Sequence, residues 1–202
     1  MNNETKILLN VGCGPRDRQH GIAGFEGWQE LRLDIDPAVD PDEVGSMTDM
    51  SAVADGSVDA IVSSHNIEHL EAYQVPVALA EFCRVLKKDG YLVITCPDLQ
   101  SVCSRVAKGD LASPLYESPA GPIAALDIIF GLRAAVAAGN TYMAHRCGFT
   151  LQVLLNTLKA CGFASVAGFA RPNVFDLWAV ATLSYMSEQD IQALVRQHLP
   201  VR

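Results

Sequence analysis

Short, near-continuous apolar runs recur along the chain, separated by amphipathic or glycine-rich stretches. Residues 6–11 form the first run, of the kind that becomes a strand buried on both faces. Residues 31–34 form a second, closed by Pro37 and Pro41, and 43–47 a short third. Residues 58–64 form a fourth, entered through the turn Asp55-Gly56, and 91–96 a fifth, stopped by Pro97. Between the first two runs, Pro15, Gly21, Gly24 and Gly27 argue against a helix. Residues 75–88 read as one, with Val75, Leu79, Phe82 and Leu86 on one stripe and Gly90 just beyond its end.

The second half is less regular. Asp98 is placed to cap a helix to about residue 108. Residues 109–122 hold Gly109, Pro114, Pro119, Gly121 and Pro122 and read as loop. Residues 123–138 are small and apolar and predict one helix, ended by Gly139-Asn140. Its all-round apolar character implies deep burial, a cover over a pocket, or a subunit contact. Thr150 caps a further helix with Leu151, Leu154, Leu155 and Leu158 on one face. Residues 163–170 and 176–183 are strands six and seven, close enough for a hairpin, and Ser187-Glu188-Gln189-Asp190 opens a last helix. Strands alternating with helices predict an α/β fold: a doubly wound, mostly parallel, seven-stranded sheet with an antiparallel pair at one edge and helices on both faces.

Composition narrows the classes. The 202 residues are 50% hydrophobic, which suits one domain over 1–202 with a substantial core and a helical cover at about 98–149. The net charge of −8 makes the chain a poor general nucleic-acid binder, which needs basic surface. No apolar run approaches the ~20 residues of a membrane span. The polar opening and six cysteines without a Cys-x-x-Cys predict a cytoplasmic protein with reduced, mostly buried thiols.

The chemistry starts where strand one ends, at Gly12-Cys13-Gly14, with Asp34 closing strand two. Glycines let a ligand approach the backbone, and an acid at the next strand end accepts ribose hydroxyls, so the pair predicts a nucleoside site. Asp34 is favoured over Asp36 because it directly ends the strand. The run Gly12-Cys13-Gly14-Pro15-Arg16-Asp17 lacks the third glycine of a dinucleotide fold, which disfavours NAD(P). His65-Asn66-Ile67-Glu68-His69 matches an inverted zinc-protease pattern, but His65 ends a strand and no third ligand is evident, so no metal is expected.

With these residues in place, the chain resembles the class I S-adenosylmethionine-dependent methyltransferases, whose fold is Rossmann-like. Asn10-Val11-Gly12-Cys13-Gly14 is similar to their first motif, and Asp34 to the acid ending strand two. Asp55-Gly56-Ser57-Val58-Asp59-Ala60-Ile61 resembles their approach to strand four. Arg84-Val85-Leu86-Lys87-Lys88-Asp89-Gly90 resembles a segment that often reads Arg-Val-Leu-Lys-Pro-Gly-Gly. A narrower resemblance is to small, bacterial, methyltransferase type 11-like proteins, carried by Ser63-Ser64-His65-Asn66-Ile67-Glu68-His69, Pro97-Asp98 and His145-Arg146-Cys147-Gly148-Phe149-Thr150. Two features depart from the family: Pro15 directly follows Gly14, and Ser46-Met47 stands where relatives carry an acid for the adenine amine, leaving backbone groups or Asp49.

The resemblance implies a cofactor, S-adenosylmethionine, leaving as S-adenosylhomocysteine, and contacts from Asn10, Gly12, Cys13, Gly14, Asp34, Ile35, Met47 and His65. His65 and His145 are the candidate catalytic groups, as bases for a hydroxyl acceptor, with Tyr142 and Arg146 near them. Glu68 and His69 are expected to open the next helix, the glutamate suiting its dipole. The expected partner is a small-molecule acceptor, with a possible homodimer through 123–138. The competing readings are a catalytically inactive methyltransferase-like binding or assembly module and an NAD(P) oxidoreductase. His20 and His198 have no assigned role.

Overall fold

The computed structural model describes residues 5–17 and 21–198. The apolar runs become β1 (Ile7–Val11), β2 (Gln29–Asp34), β3 (Glu43–Val44), β4 (Val58–Ser64) and, after α1 (Val75–Val85), β5 (Leu86–Pro97). Then follow α2 (Leu99–Val106), a hairpin of β6 (Pro114–Ser118) and β7 (Gly121–Ala124), α3 (Ala125–Phe130), α4 (Arg133–Ala137) and α5 (Leu151–Ala160). The chain closes with β8 (Ser165–Arg171), β9 (Asp176–Thr182) and α6 (Glu188–His198). The main sheet has the order β3-β2-β1-β4-β5-β9-β8. Its first five strands run parallel, while β9 is antiparallel to both β5 and β8. The reversed strand therefore lies one in from the edge. β1 and β4 are central neighbours, and the order reverses between them, so their carboxyl ends open a crevice.

The period-2 alternation of the strands sorts their side chains onto two faces. Leu9, Ile61 and Ile94 pack with Leu79 and Phe82 of α1 and Leu154 and Leu158 of α5. Leu8, Val62 and Val93 face the other way, onto Ile191 and Val195 of α6 and onto Ile22 and Phe25. Full burial of each large apolar side chain contributes about 1.5–3 kcal/mol before entropy is counted. Among the described residues between Gly14 and Trp28 there is no helix, as Pro15 and the glycines predict. Their apolar side chains still close the second face: Phe25 stacks on the buried His198, which also meets the Ala23 carbonyl at 2.7 Å and the Tyr91 hydroxyl at 3.1 Å. His20 lies outside the described residues.

Three expectations need correction. α1 stops at Val85, not at 88, because Leu86 turns to extended backbone and pairs with Val58. Residues 109–122 are not all loop; 114–118 and 121–124 pair as a two-stranded ribbon, whose open edges accommodate Pro114 and Pro122. The helix expected over 123–138 is split. β7 claims its first residues, and Gly131, at φ 92°, separates α3 from α4. A Cβ on Gly131 would stand 1.9 Å from the Met143 carbonyl oxygen, so the turn requires glycine. Of the cysteines, all free, Cys13 and Cys96 are buried, Cys83, Cys147 and Cys161 half-buried, and Cys103 exposed on α2. Asp98, Thr150 and Ser187 do cap their helices, accepting from the backbone N–H groups of Gln100, Val153 and Asp190.

Candidate functional site

At the end of β1 the chain turns across the end of β2. The Gly12 and Cys13 amides donate to the Leu33 carbonyl at 2.8 and 3.2 Å. Gly12 sits at φ 66°, and a Cβ there would lie 2.3 Å from Asn66 Nδ2. Asp34 braces the turn: its Oδ2 accepts from the Gly14 amide at 2.9 Å and its Oδ1 from the Asp36 amide at 3.0 Å. Each oxygen keeps lone-pair capacity for a further donor. Arg32 secures the turn from below through the Gly14 carbonyl, and through the Asp40 carbonyl at 3.2 Å.

From this turn a cleft of about 1080 Å³ runs across the carboxyl ends of the strands. Gly12, Gly14, Asp34, Ile35, Ser46 and Met47 line one end; Tyr116, Ile123, Ile128, Tyr142, His145 and Phe175 line the other, with His65 on the wall as well. A separate void of about 10 Å³ between Val93 and Trp178 has no room for a ligand. The cleft thus brings together Gly12, Gly14, Asp34, Ile35, Met47, His65 and His145. It does not include Asn10 or Cys13. Asn10 is buried within the sheet layer, donating to Glu30 Oε1 at 2.7 Å. Burial of Cys13 pushes its thiol up to about 11. Asp49 is also off the wall and accepts from the Ser51 amide at 3.2 Å; Ser46 and Met47 take its place there. Sequence reasoning missed Asn66. It packs over Gly12 on the cleft wall, and its Nδ2 is buried with no acceptor among the described residues. The signal was its place directly after His65, at a strand's carboxyl end.

The other end of the cleft is built on a buried carboxylate. Glu68 does not open the long helix; it sits in a 3-10 turn, Ile67–His69, and is 1% exposed. Its two carboxylate oxygens have no hydrogen-bond donor among the described residues. His65, held at φ 50° at the end of β4, brings Nδ1 to 3.5 Å from Glu68 Oε1, an electrostatic neighbour beyond good hydrogen-bond range. The Glu68 carbonyl accepts from the Arg146 and Cys147 amides at 2.8 and 3.2 Å, which fastens the 145–147 strand of loop beside it. His145 consequently reaches His69: their rings are 4.9 Å apart at 71°. His69 Nδ1 lies 3.1 Å from the Ala144 carbonyl oxygen, and His145 Nδ1 lies 2.8 Å from that of Ile128. One ligand-type atom from each of Glu68, His69 and His145 falls within 4.8 Å of the other two. Burial pushes the Glu68 carboxyl up, but the imidazoles of His65, His69 and His145 pull it down further, below the ordinary range. Burial holds His145 below the usual histidine value, favouring its neutral form. Arg146 turns outward to pair with Glu71 at 3.0 Å.

A family model described as a methyltransferase domain matches residues 9–94. Residues 9–94 are thus similar to a methyltransferase domain. They carry the Gly12–Gly14 turn, Asp34, Asn66, Glu68 and His69, while His145 and the rest of 98–149 lie beyond the match. Solved structures extend the likeness in fold. An S-adenosylmethionine-dependent methyltransferase from Archaeoglobus fulgidus aligns with 88% of this chain and 86% of its own, at 17% identity and a TM-score of 0.54. One from Methanosarcina mazei aligns with 90% of this chain and 94% of its own, at 15% identity and a TM-score of 0.57. The 1,6-didemethyltoxoflavin-N1-methyltransferase of Burkholderia thailandensis, solved with bound 1,6-didemethyltoxoflavin and S-adenosylhomocysteine, aligns with 88% of this chain and 71% of its own, at 15% identity and a TM-score of 0.52. No curated protein matches the sequence. Among the described residues, no helix is long and apolar enough to cross a membrane.

Proposed function

We propose that the chain moves a methyl group from S-adenosylmethionine to a small molecule held at the His145 end of the cleft. One observation carries this reading: a single cleft joins the Gly12–Asp34 turn to the His65 and His145 imidazoles. The cradle suits the cofactor. Asn66 Nδ2 is a buried donor beside Gly12 lacking an acceptor among the described residues, and Asp34 retains acceptor capacity for ribose hydroxyls. Gly12, Gly14, Asp34, Ile35, Met47, Asn66 and His65 would hold it. When bound, the cofactor supplies an electrophilic methyl carbon on a sulfonium. The chain's own work is positioning and exclusion of water. Tyr116, Ile123, Ile128 and Phe175 supply apolar walls for the acceptor, and His65 or His145 takes the proton of a hydroxyl acceptor.

We read residues 1–202 as one cytoplasmic domain with 98–149 as its cover. Phe130, 60% exposed on that cover, supports a homodimer through 123–138. The net charge of −8 supports an acceptor other than nucleic acid. Calorimetry with S-adenosylhomocysteine tests the reading. The wild type is expected to bind, and Asp34→Ala to bind more weakly by about 1.5–3 kcal/mol, as for a lost charge-assisted pair. No binding to the wild type, or a thermal shift with NAD(P) instead, overturns it.

A further inference from the structure

We propose that Glu68, His69 and His145 form a binding site for a divalent transition cation of the zinc class, at the acceptor end of the cleft. Two imidazoles and one carboxylate are a recurrent ligand set for such ions, and a three-residue set leaves coordination positions open. Magnesium and calcium prefer oxygen-rich sites, which this is not.

Three observations support the site independently. First, Glu68 is 1% exposed, and neither carboxylate oxygen has a hydrogen-bond donor among the described residues. A buried carboxylate left in that state is costly, and a bound cation satisfies it. Second, both histidines are oriented as ligands usually are. Nδ1 of His69 faces the Ala144 carbonyl at 3.1 Å, and Nδ1 of His145 faces that of Ile128 at 2.8 Å. Donation there fixes each ring and leaves the Nε2 lone pair as the free one. Third, one carboxylate oxygen of Glu68 and one ring nitrogen of each histidine already lie within 4.8 Å of one another, although 76 positions separate His69 from His145. Ligand atoms around a tetrahedral zinc lie about 3.4 Å apart, from bond lengths of about 2.1 Å, so closure needs side-chain shifts of roughly 1 Å. The Arg146 and Cys147 amides on the Glu68 carbonyl hold the two segments in place for it.

All three residues line the cleft, so the open positions face the acceptor space. A hydroxyl, thiol or carboxylate there would ligate the cation, and proton acceptance would fall to His65 because His145 Nε2 is engaged. That role rests on the methyltransferase reading; the site itself does not.

The test uses the full chain, freed of metal by a chelator and dialysed. Zinc chloride is titrated by calorimetry, and cobalt(II) chloride by visible absorption. The site predicts one equivalent bound, with a cobalt spectrum of nitrogen and oxygen ligation lacking thiolate charge transfer. Glu68→Gln and His145→Ala should each weaken binding at least about 10–100-fold, the loss typical even of outer ligand partners. Cys103→Ser, which removes the exposed thiol, should bind as the wild type does. Circular dichroism checks that each variant folds; if Glu68→Gln does not, His145→Ala alone decides. Binding below one equivalent, or binding that survives the substitution of a folded variant, overturns the site and leaves Glu68 as a counter-charge to its histidines. S-adenosylhomocysteine titrated into the same samples keeps the two readings separate. Metal binding without it supports this site and sinks the transferase, and the reverse result does the opposite.

Discussion

The two ends of the cleft are made in different ways. The glycine end is mostly backbone. It stands on adjacent strand ends, β1 and β2, and its backbone groups are paired: the Gly14 amide with Asp34, the Gly14 carbonyl with Arg32, the Gly12 amide with Leu33. The histidine end is side chains. It gathers segments around 65–69, 116–128 and 142–146, and at its centre Glu68 has two oxygens without a donor among the described residues. A site made of backbone is sensitive to any added atom. A site made of side chains tolerates small changes in shape and fails when one chemical group is removed.

That contrast can be broken by substitution. The largest effect is expected at Gly12→Ala. The left-handed conformation costs a non-glycine residue about 1–2 kcal/mol, and displacing Asn66 adds to it, so affinity for S-adenosylhomocysteine should drop by about 2 kcal/mol or more, roughly 30-fold. An unchanged dissociation constant would reduce Gly12 to an ordinary turn residue. Gly131→Ala applies the same strain to the cover, where Met143 occupies the space. It should lower unfolding free energy by about 1–2 kcal/mol in urea while cofactor affinity stays within about threefold. Equal losses at both readouts would mean that the cleft is one mechanical unit.

Smaller effects probe how the cover is held. Asp127 is 8% exposed, accepts from the Ala124 amide at 3.0 Å at the start of α3, and pairs with Arg133 at 2.8 Å. Its loss in Asp127→Ala should cost about 1 kcal/mol, as for a helix cap. The Arg133 hydrogen bond holds the Asp127 carboxyl below its ordinary value. The unfolded chain therefore takes up this proton first as pH falls. The stabilisation is complete above the ordinary carboxylate value of about 4 and disappears as pH drops through the lower folded value. Asp127→Asn should flatten that part of an acid-denaturation curve. Phe130→Ser should change monomer stability by no more than about 0.5 kcal/mol. Sedimentation of that variant asks whether 123–138 joins two copies: a dimer that persists unchanged rules the segment out as the interface.

Much of the scaffold was legible in the residues. Leu8 and Leu9, or Ile61 and Val62, must enter opposite cores if each run is a strand buried on both faces, and they do. Gly12, Gly14 and Asp34 were legible because their spacing follows from the lengths of two parallel strands and the connection between them. Asn10 and Cys13 were grouped with them by sequence neighbourhood, but side chains alternate along a strand, and neither reaches the cleft wall. Residues 98–149 were read less well. Their prolines and glycines marked turns correctly, yet nothing local announced that 114–118 would pair with 121–124, or that Met143 would occupy the space beside Gly131.

By itself, the sequence determined the parallel sheet, the reversed hairpin near its edge and the glycine turn braced by Asp34, because each depends on periodicity or spacing within a short stretch. The tertiary structure alone decided what stands at the far end of the cleft. Glu68 and His69 looked like the start of a helix, and His145 like a loop residue. Their meeting depends on the 145–147 segment bonding the Glu68 carbonyl. Contacts between segments so far apart in the chain are set by how residues 98–149 pack beside the sheet, which local pattern does not encode.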